Sequence, residues 1–144
     1  MWRELMTKAS RGEGHAHTPP DSVTTIAQLK RQVQDFIERR DWSQYHNPKD
    51  LGITIAIEAA ELLEVFQWIG EKQLERVDED AERFGRLKDE LCDVVTSCLS
   101  LANTLDIDIA AAMQRKMEQN EAKYPVELAR GDHRKYTELR HPEP

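Results

Sequence analysis

The sequence predicts an all-α domain built as a four-helix bundle, and three observations carry that expectation. Helix formers dominate the 144 residues, with Gly and Pro only 6 each. Apolar residues recur at helical spacing, most clearly over Ile26–Ile37 and Leu87–Leu105. Residues suited to a helix start stand ahead of the four long stretches: Thr25, Pro48, the Asp78–Asp80 cluster, and Asp106 or Asp108.

The first helix is expected from about Thr25 to Arg40. Thr25 and Gln28 form a capping-box pattern, and Ile26, Leu29, Val33, Phe36 and Ile37 make the apolar stripe. Asn47-Pro48 ends the loop that follows, in which Trp42, Tyr45 and His46 crowd together. The second helix then runs from about Pro48 to Ile69, with Gly70 as its stop. Residues 71–80 hold at most one short turn, and their acids suit the positive end of the next helix dipole. The third helix spans about Ala81 to Thr104, with Leu87, Leu91, Val94, Cys98, Leu101 and Leu105 as its core stripe. The fourth ends near Tyr124, before Pro125. Residues 1–22 read as a flexible arm, where Trp2 and Leu5 are docking candidates and His15-x-His17 is a weak metal pattern. Residues 23–126 form the helical domain, and 127–144 read as a tail against a neighbouring subunit.

A net charge of −7 argues against a nucleic-acid polymer as partner, since a duplex binder needs a basic face. Free nucleotides remain open, because metal ions offset local acidity. No apolar run approaches the length of a membrane span, and the N-terminus lacks the apolar core of a signal peptide. Cys92 and Cys98, six apart on one helix, face different directions and are expected as buried reduced thiols. Together these features predict a soluble, cytoplasmic protein without a membrane partner.

The chemistry lies in two acidic pairs. Glu58 and Glu61 are one turn apart in an otherwise apolar segment, and Glu58 projects near Leu51, Val65 and Ile69. Glu90 and Asp93 repeat the arrangement on the third helix. An ionised carboxylate at the edge of a core face needs a cation or donors. The two pairs therefore read as halves of one divalent-metal site, and oxygen ligands suit Mg²⁺ or Mn²⁺ better than zinc. A di-iron bundle would need Glu-x-x-His motifs, and no His falls in a predicted helix. Trp68 lies on the wheel near Glu61, roughly 10 Å further along the axis, as a plate for a base. Lys116, Asn120 and Lys123 share one face of the fourth helix and could hold phosphate oxygens. No Walker loop or Gly-rich cradle is present.

Four motifs, in order, carry a family resemblance: RDWSQYHNPKDL; E-x-x-EL-x-E-x-FQW; DEL-x-DV, about 28 residues after the first acidic pair; and K-x-x-x-N-x-x-KYP. The chain resembles the MazG-like all-α nucleoside triphosphate pyrophosphohydrolases over about residues 25–126, most of all their dCTP pyrophosphatase branch. The resemblance implies a bundle assembling as a dimer or dimer of dimers (a homotetramer), with sites built across subunits. It implies Mg²⁺-dependent cleavage of a nucleoside triphosphate substrate to a monophosphate and pyrophosphate. Glu58, Glu61, Glu90 and Asp93 would be the metal ligands. Glu61 or a neighbouring carboxylate such as Glu58 would activate the water. Trp42 and Trp68 would hold the base, and Lys116, Asn120, Lys123 and Tyr124 would lie near phosphates or sugar. Val33 stands where the dCTP-type enzymes have a His, and Ser97 where they have a Tyr.

The base is thus open between dCTP and a modified pyrimidine. Two other readings stand beside this one. The first is a related phosphohydrolase acting on dUTP or a phosphoribosyl compound. The second is a non-catalytic helical interaction module whose acids are surface charge.

Overall fold

A computed structural model describes residues 20–139; Trp2, Leu5, His15, His17 and His141 lie outside that range. The described residues contain no strand. Seven helices follow in order: α1 Ile26–Glu38, α2 Pro48–Glu64, α3 Glu71–Leu74, α4 Ala81–Thr104, α5 Ile109–Lys123, α6 Val126–Ala129 and α7 Tyr136–Leu139. Single 3-10 turns occupy Ser43–Tyr45 and Val77–Glu79.

The helix starts are chemically marked, as the sequence predicts. Gln28 N donates to Thr25 Oγ1 at 3.2 Å, and Thr25 N donates to Gln28 Oε1 at 2.7 Å, closing the capping box of α1. Asn47 Oδ1 accepts from Asp50 N at the start of α2, with Pro48 in the first turn. Asp80 caps α4 through Arg83 N at 3.0 Å, and Asp108 caps α5 through Ala111 N at 2.9 Å.

α4 is the centre. α2 packs along it over the longest contact, and α1 packs on it beside α2. Ile37 of α1, Leu51 and Val65 of the α2 segment, and Leu99 and Ala102 of α4 are the buried apolar residues here. Lys30 Nζ donates to Ile107 O at 2.7 Å, and Asn103 Nδ2 donates to Lys30 O at 2.8 Å, tying α1 to the far end of α4. The chain bends by 107° between α4 and α5. Three of the expected four long helices therefore pack together within one chain, and α5 turns away from them. Among the described residues, no single helix is long and apolar enough to cross a membrane.

Three expectations need correction. First, α2 ends at Glu64, not Ile69; residues 65–68 form a turn in which Trp68 takes φ +64, and Gly70 leads into α3 instead of closing α2. Second, the apolar stripe of α4 is not its buried face. Leu91 and Leu105 are each 49% exposed, whereas Glu90, Ser97 and Ser100 are buried. α4 turns its polar stripe inward, because that stripe lines a cavity. Third, both Cys92 and Cys98 are free and exposed, not buried.

The described part of the expected tail, up to residue 139, carries the short helices α6 and α7. Gly131, at φ +76, turns the chain after α6, and Leu139 of α7 is buried. Arg134 grips Asp132 with Nη2 at 2.7 Å, and that pairing pulls the Asp132 carboxyl down to about 2.

Candidate active site

A cavity of about 520 Å³ lies between α1, α2 and α4. Its walls come from helix faces set by the periodicities above. Val33, Phe36 and Ile37 of α1 and Leu51, Ile53 and Ile57 of α2 form the apolar side. Thr96, Ser97 and Ser100 of α4 form a hydroxyl-bearing side, and His46 closes in from the loop before α2.

The acids gather where α2 and α4 face each other. Ligand atoms of Glu58, Glu90 and Asp93 lie within 4.8 Å of one another. Glu58 is only 8% exposed and Glu90 5%, so this is not a solvated helix face. The burial follows from register: Leu51, Glu58 and Val65 recur at seven-residue spacing along α2 and its C-cap, so the stripe that buries the two apolar residues also buries the acid. Burial is the largest cause holding the Glu58 carboxyl above its ordinary value, followed by the charges of Asp93, Glu61 and Glu90. Glu61 lines the cavity and is partly exposed, outside the tight trio. No His or Cys belongs to that trio. An oxygen-only donor set with buried negative charge fits a hard divalent cation.

The other expected residues stand apart from the cavity in this chain. Trp42 is half-buried behind its rim, its ring edge-on to Phe36 at 5.9 Å. The Trp42 carbonyl accepts from the His46 ring nitrogen Nδ1 at 2.7 Å. Arg40 lays its guanidinium over Phe36 at 3.6 Å. Trp68 is 91% exposed and does not line the cavity, because the turn after Glu64 takes it off the helical wheel. Lys116 and Asn120 sit on α5, away from the cavity. Lys123 and Tyr124 engage Tyr136 instead, at 5.4 Å and 5.9 Å from its ring.

Sequence reasoning left out Ser100, Thr54 and Thr96 as cavity residues. The signal was present in α4: Glu90, Asp93, Ser97 and Ser100 follow one another at spacings of three, four and three. That is the spacing of a buried helix stripe written in polar residues.

Comparison with known proteins finds relatives of this chain. A sequence model of the MazG-like family matches residues 53–139. The chain is 33% identical over 141 residues to dCTP pyrophosphatase 1 of Bos taurus, covering 96% of this chain and 83% of that protein. It is 35% identical over 117 residues to dCTP pyrophosphatase 1 of Homo sapiens, covering 81% and 69%. A crystal structure of a pyrophosphatase from Archaeoglobus fulgidus superposes with a TM-score of 0.63 at 35% identity, over 78% of this chain and 99% of that one.

Proposed function

The chain belongs to the MazG-like family, and from that premise we propose the reaction its cavity serves. It is a nucleoside triphosphate pyrophosphohydrolase, a hydrolase acting on acid anhydrides. Water enters between the α and β phosphates of a pyrimidine deoxynucleoside triphosphate, dCTP or a relative modified on the base. The products are the nucleoside monophosphate and pyrophosphate. The observation that carries this reading is the trio Glu58, Glu90 and Asp93, drawn within 4.8 Å with Glu58 and Glu90 buried, beside a nucleotide-sized cavity that Glu58 and Asp93 line.

Glu58, Glu61, Glu90 and Asp93 would hold Mg²⁺ or Mn²⁺. When bound, the ion offsets triphosphate charge and lowers the pKa of a nearby water. In this reading Glu61, which lines the cavity outside the trio, or a neighbouring carboxylate such as Glu58 orients that water. Val33, Phe36, Ile37 and Leu51 exclude solvent from the other end, where the base lies.

The site is completed by a second copy of the chain. Leu91, Val95, Cys98 and Leu105 leave an apolar stripe of α4 uncovered, and Leu63 of α2 is 69% exposed. Such an area on a helix face is what an obligate interface covers. In a dimer or a dimer of dimers, Trp68 stacks on the base, with Trp42 on its other side. Lys116, Asn120, Lys123 and Tyr124 of α5 reach the phosphates and sugar of a partner's site. The exposed Trp68 supports this: a bulky residue at positive φ is uncommon and marks a constrained position.

The deciding experiment measures pyrophosphate release from all common NTPs and dNTPs with Mg²⁺, wild type beside Glu61→Ala. Metal-dependent release by the wild type, lost in the variant, is the expected result. No release from any nucleotide by a folded protein overturns the reading and leaves a helical interaction module.

A further inference from the structure

Among the described residues, one buried side-chain polar atom has no hydrogen-bond partner: Ser100 Oγ. Ser100 is 4% exposed and lines the cavity. A hydroxyl buried without a partner is costly, so one carried by a residue that lines a cavity points to something that comes to meet it. Seven residues separate it from Asp93, about 10 Å along the helix axis. Across the cavity the same span of α2 leads from Glu58 back to Leu51. The acids and Ser100 thus mark opposite ends of one slot, with Ser97 between them. A nucleotide with its phosphates at the acids would carry its base to Ser100.

The surroundings say what Ser100 is left to do. Val33, Phe36, Ile37 and Leu51 offer that end of the slot apolar surface but no hydrogen bond. Of the other polar residues that line the cavity, Asp50 is held by Asn47 Nδ2 and Lys49 Nζ, the His46 ring nitrogen Nδ1 meets the Trp42 carbonyl, and Gln32 is exposed. Thr54 is already engaged, its Oγ1 donating to Asp50 O at 3.0 Å. The Thr104 hydroxyl donates to Ser100 O at 3.0 Å, fixing the backbone but leaving the Ser100 side chain available.

We propose that Ser100, seconded by Ser97 one turn earlier, is the specificity-determining contact to the base, and that the site accepts pyrimidines bearing either an amino group or a carbonyl at the edge it meets. The reason is chemical. A hydroxyl donates to a carbonyl and accepts from an amino group by rotating its proton. A site relying on hydroxyls therefore does not separate cytosine from uracil or thymine as a fixed donor or acceptor does. The substrate class is pyrimidine deoxynucleoside triphosphates of both kinds. This rests on the pyrophosphohydrolase reading above and narrows it.

The test compares kcat and KM for dCTP, dUTP, dTTP, dATP and dGTP in wild type, Ser100→Ala and Ser100→Cys, the last exchanging the hydroxyl for a somewhat larger thiol that hydrogen-bonds only weakly. Melting temperature is followed with and without Mg²⁺. Wild type should treat dCTP and dUTP within about tenfold of each other in kcat/KM. Ser100→Ala and Ser100→Cys should each lower kcat/KM for both by about 3- to 10-fold, mainly through KM. Metal-free Ser100→Ala should melt no lower than wild type, because it removes an unpaired buried hydroxyl, and its Mg²⁺-induced rise should persist. A purely structural serine would instead lower the melting temperature and leave base preference alone. Three results overturn the proposal while sparing the enzymatic reading: a preference for dCTP over dUTP beyond about 1000-fold, unchanged kinetics in both variants, or release from purine nucleotides alone. Release from no nucleotide removes both together.

Discussion

Glu58→Gln should stabilise the metal-free protein and abolish its response to Mg²⁺. Glu58, Glu90 and Asp93 present ligand atoms within 4.8 Å. At an effective dielectric constant of about 20, two unit charges at that separation repel by about 3.5 kcal/mol. Glu58 feels two such neighbours, and proton uptake relieves part of the strain, as the raised Glu58 carboxyl indicates. A neutral amide of the same shape removes the repulsion outright. At mildly alkaline pH in chelator, the variant should be more stable by about 1–3 kcal/mol, a rise of roughly 3–10 °C in melting temperature. Saturating metal reverses the order. An ion at a hundred times its Kd stabilises the wild type by about 2.7 kcal/mol, and the variant should lose most of that. Scanning calorimetry on both proteins, with chelator and with Mg²⁺, reads all four states. A variant less stable than wild type in chelator would refute the reasoning, because the acids would then be held by partners inside the protein and not by an ion. So would an undiminished Mg²⁺ response.

Three further outcomes are expected. The Glu58 carboxyl titrates above its unfolded value of 4.5, so the folded metal-free chain holds that proton more tightly. Its contribution to stability is full below that value and is lost as pH rises through the raised folded value, a fall that urea titrations across pH should show and Mg²⁺ should suppress. Trp68→Ala should leave stability within about 0.5 kcal/mol, since the ring is exposed, yet raise KM for the triphosphate; unchanged kinetics would remove Trp68 from base binding. Leu91→Glu, on the uncovered stripe of α4, should shift the species seen by light scattering towards the monomer and lower activity with it; an unaltered mass would place the interface elsewhere.

What could be read in the sequence was what depends on neighbours along the chain. The Thr25 capping box and the bounds of α4 are local events, and they appear as expected. Glu58 at the edge of an apolar arc was legible too, because helix geometry alone puts it beside Leu51 and Val65. The end of α2 was not: no Gly or Pro interrupts the segment before Gly70, yet the chain leaves the helix after Glu64. The face of α4 was misjudged for a different reason. Hydrophobicity ranks Leu91 and Leu105 as core, but inside one chain the inward stripe belongs to a cavity that wants carboxylates and hydroxyls. Ser100 escaped notice because a serine in a helix looks like filler until its surroundings are known.

The capping residues described for α2 and α4 act as a ruler. Asn47 and Asp80 pin where each helix begins, and Glu58 and Glu90 lie eleven and ten residues on. The angular phase of each acid is therefore a matter of counting. One residue inserted between Asp80 and Glu90 swings Glu90 through about 100° and takes it away from Glu58, with every side chain of the trio still present. The same insertion among residues 70–79, ahead of the Asp80 pin, leaves that phase untouched. Length variation is thus barred from two short windows and free in the segment between them.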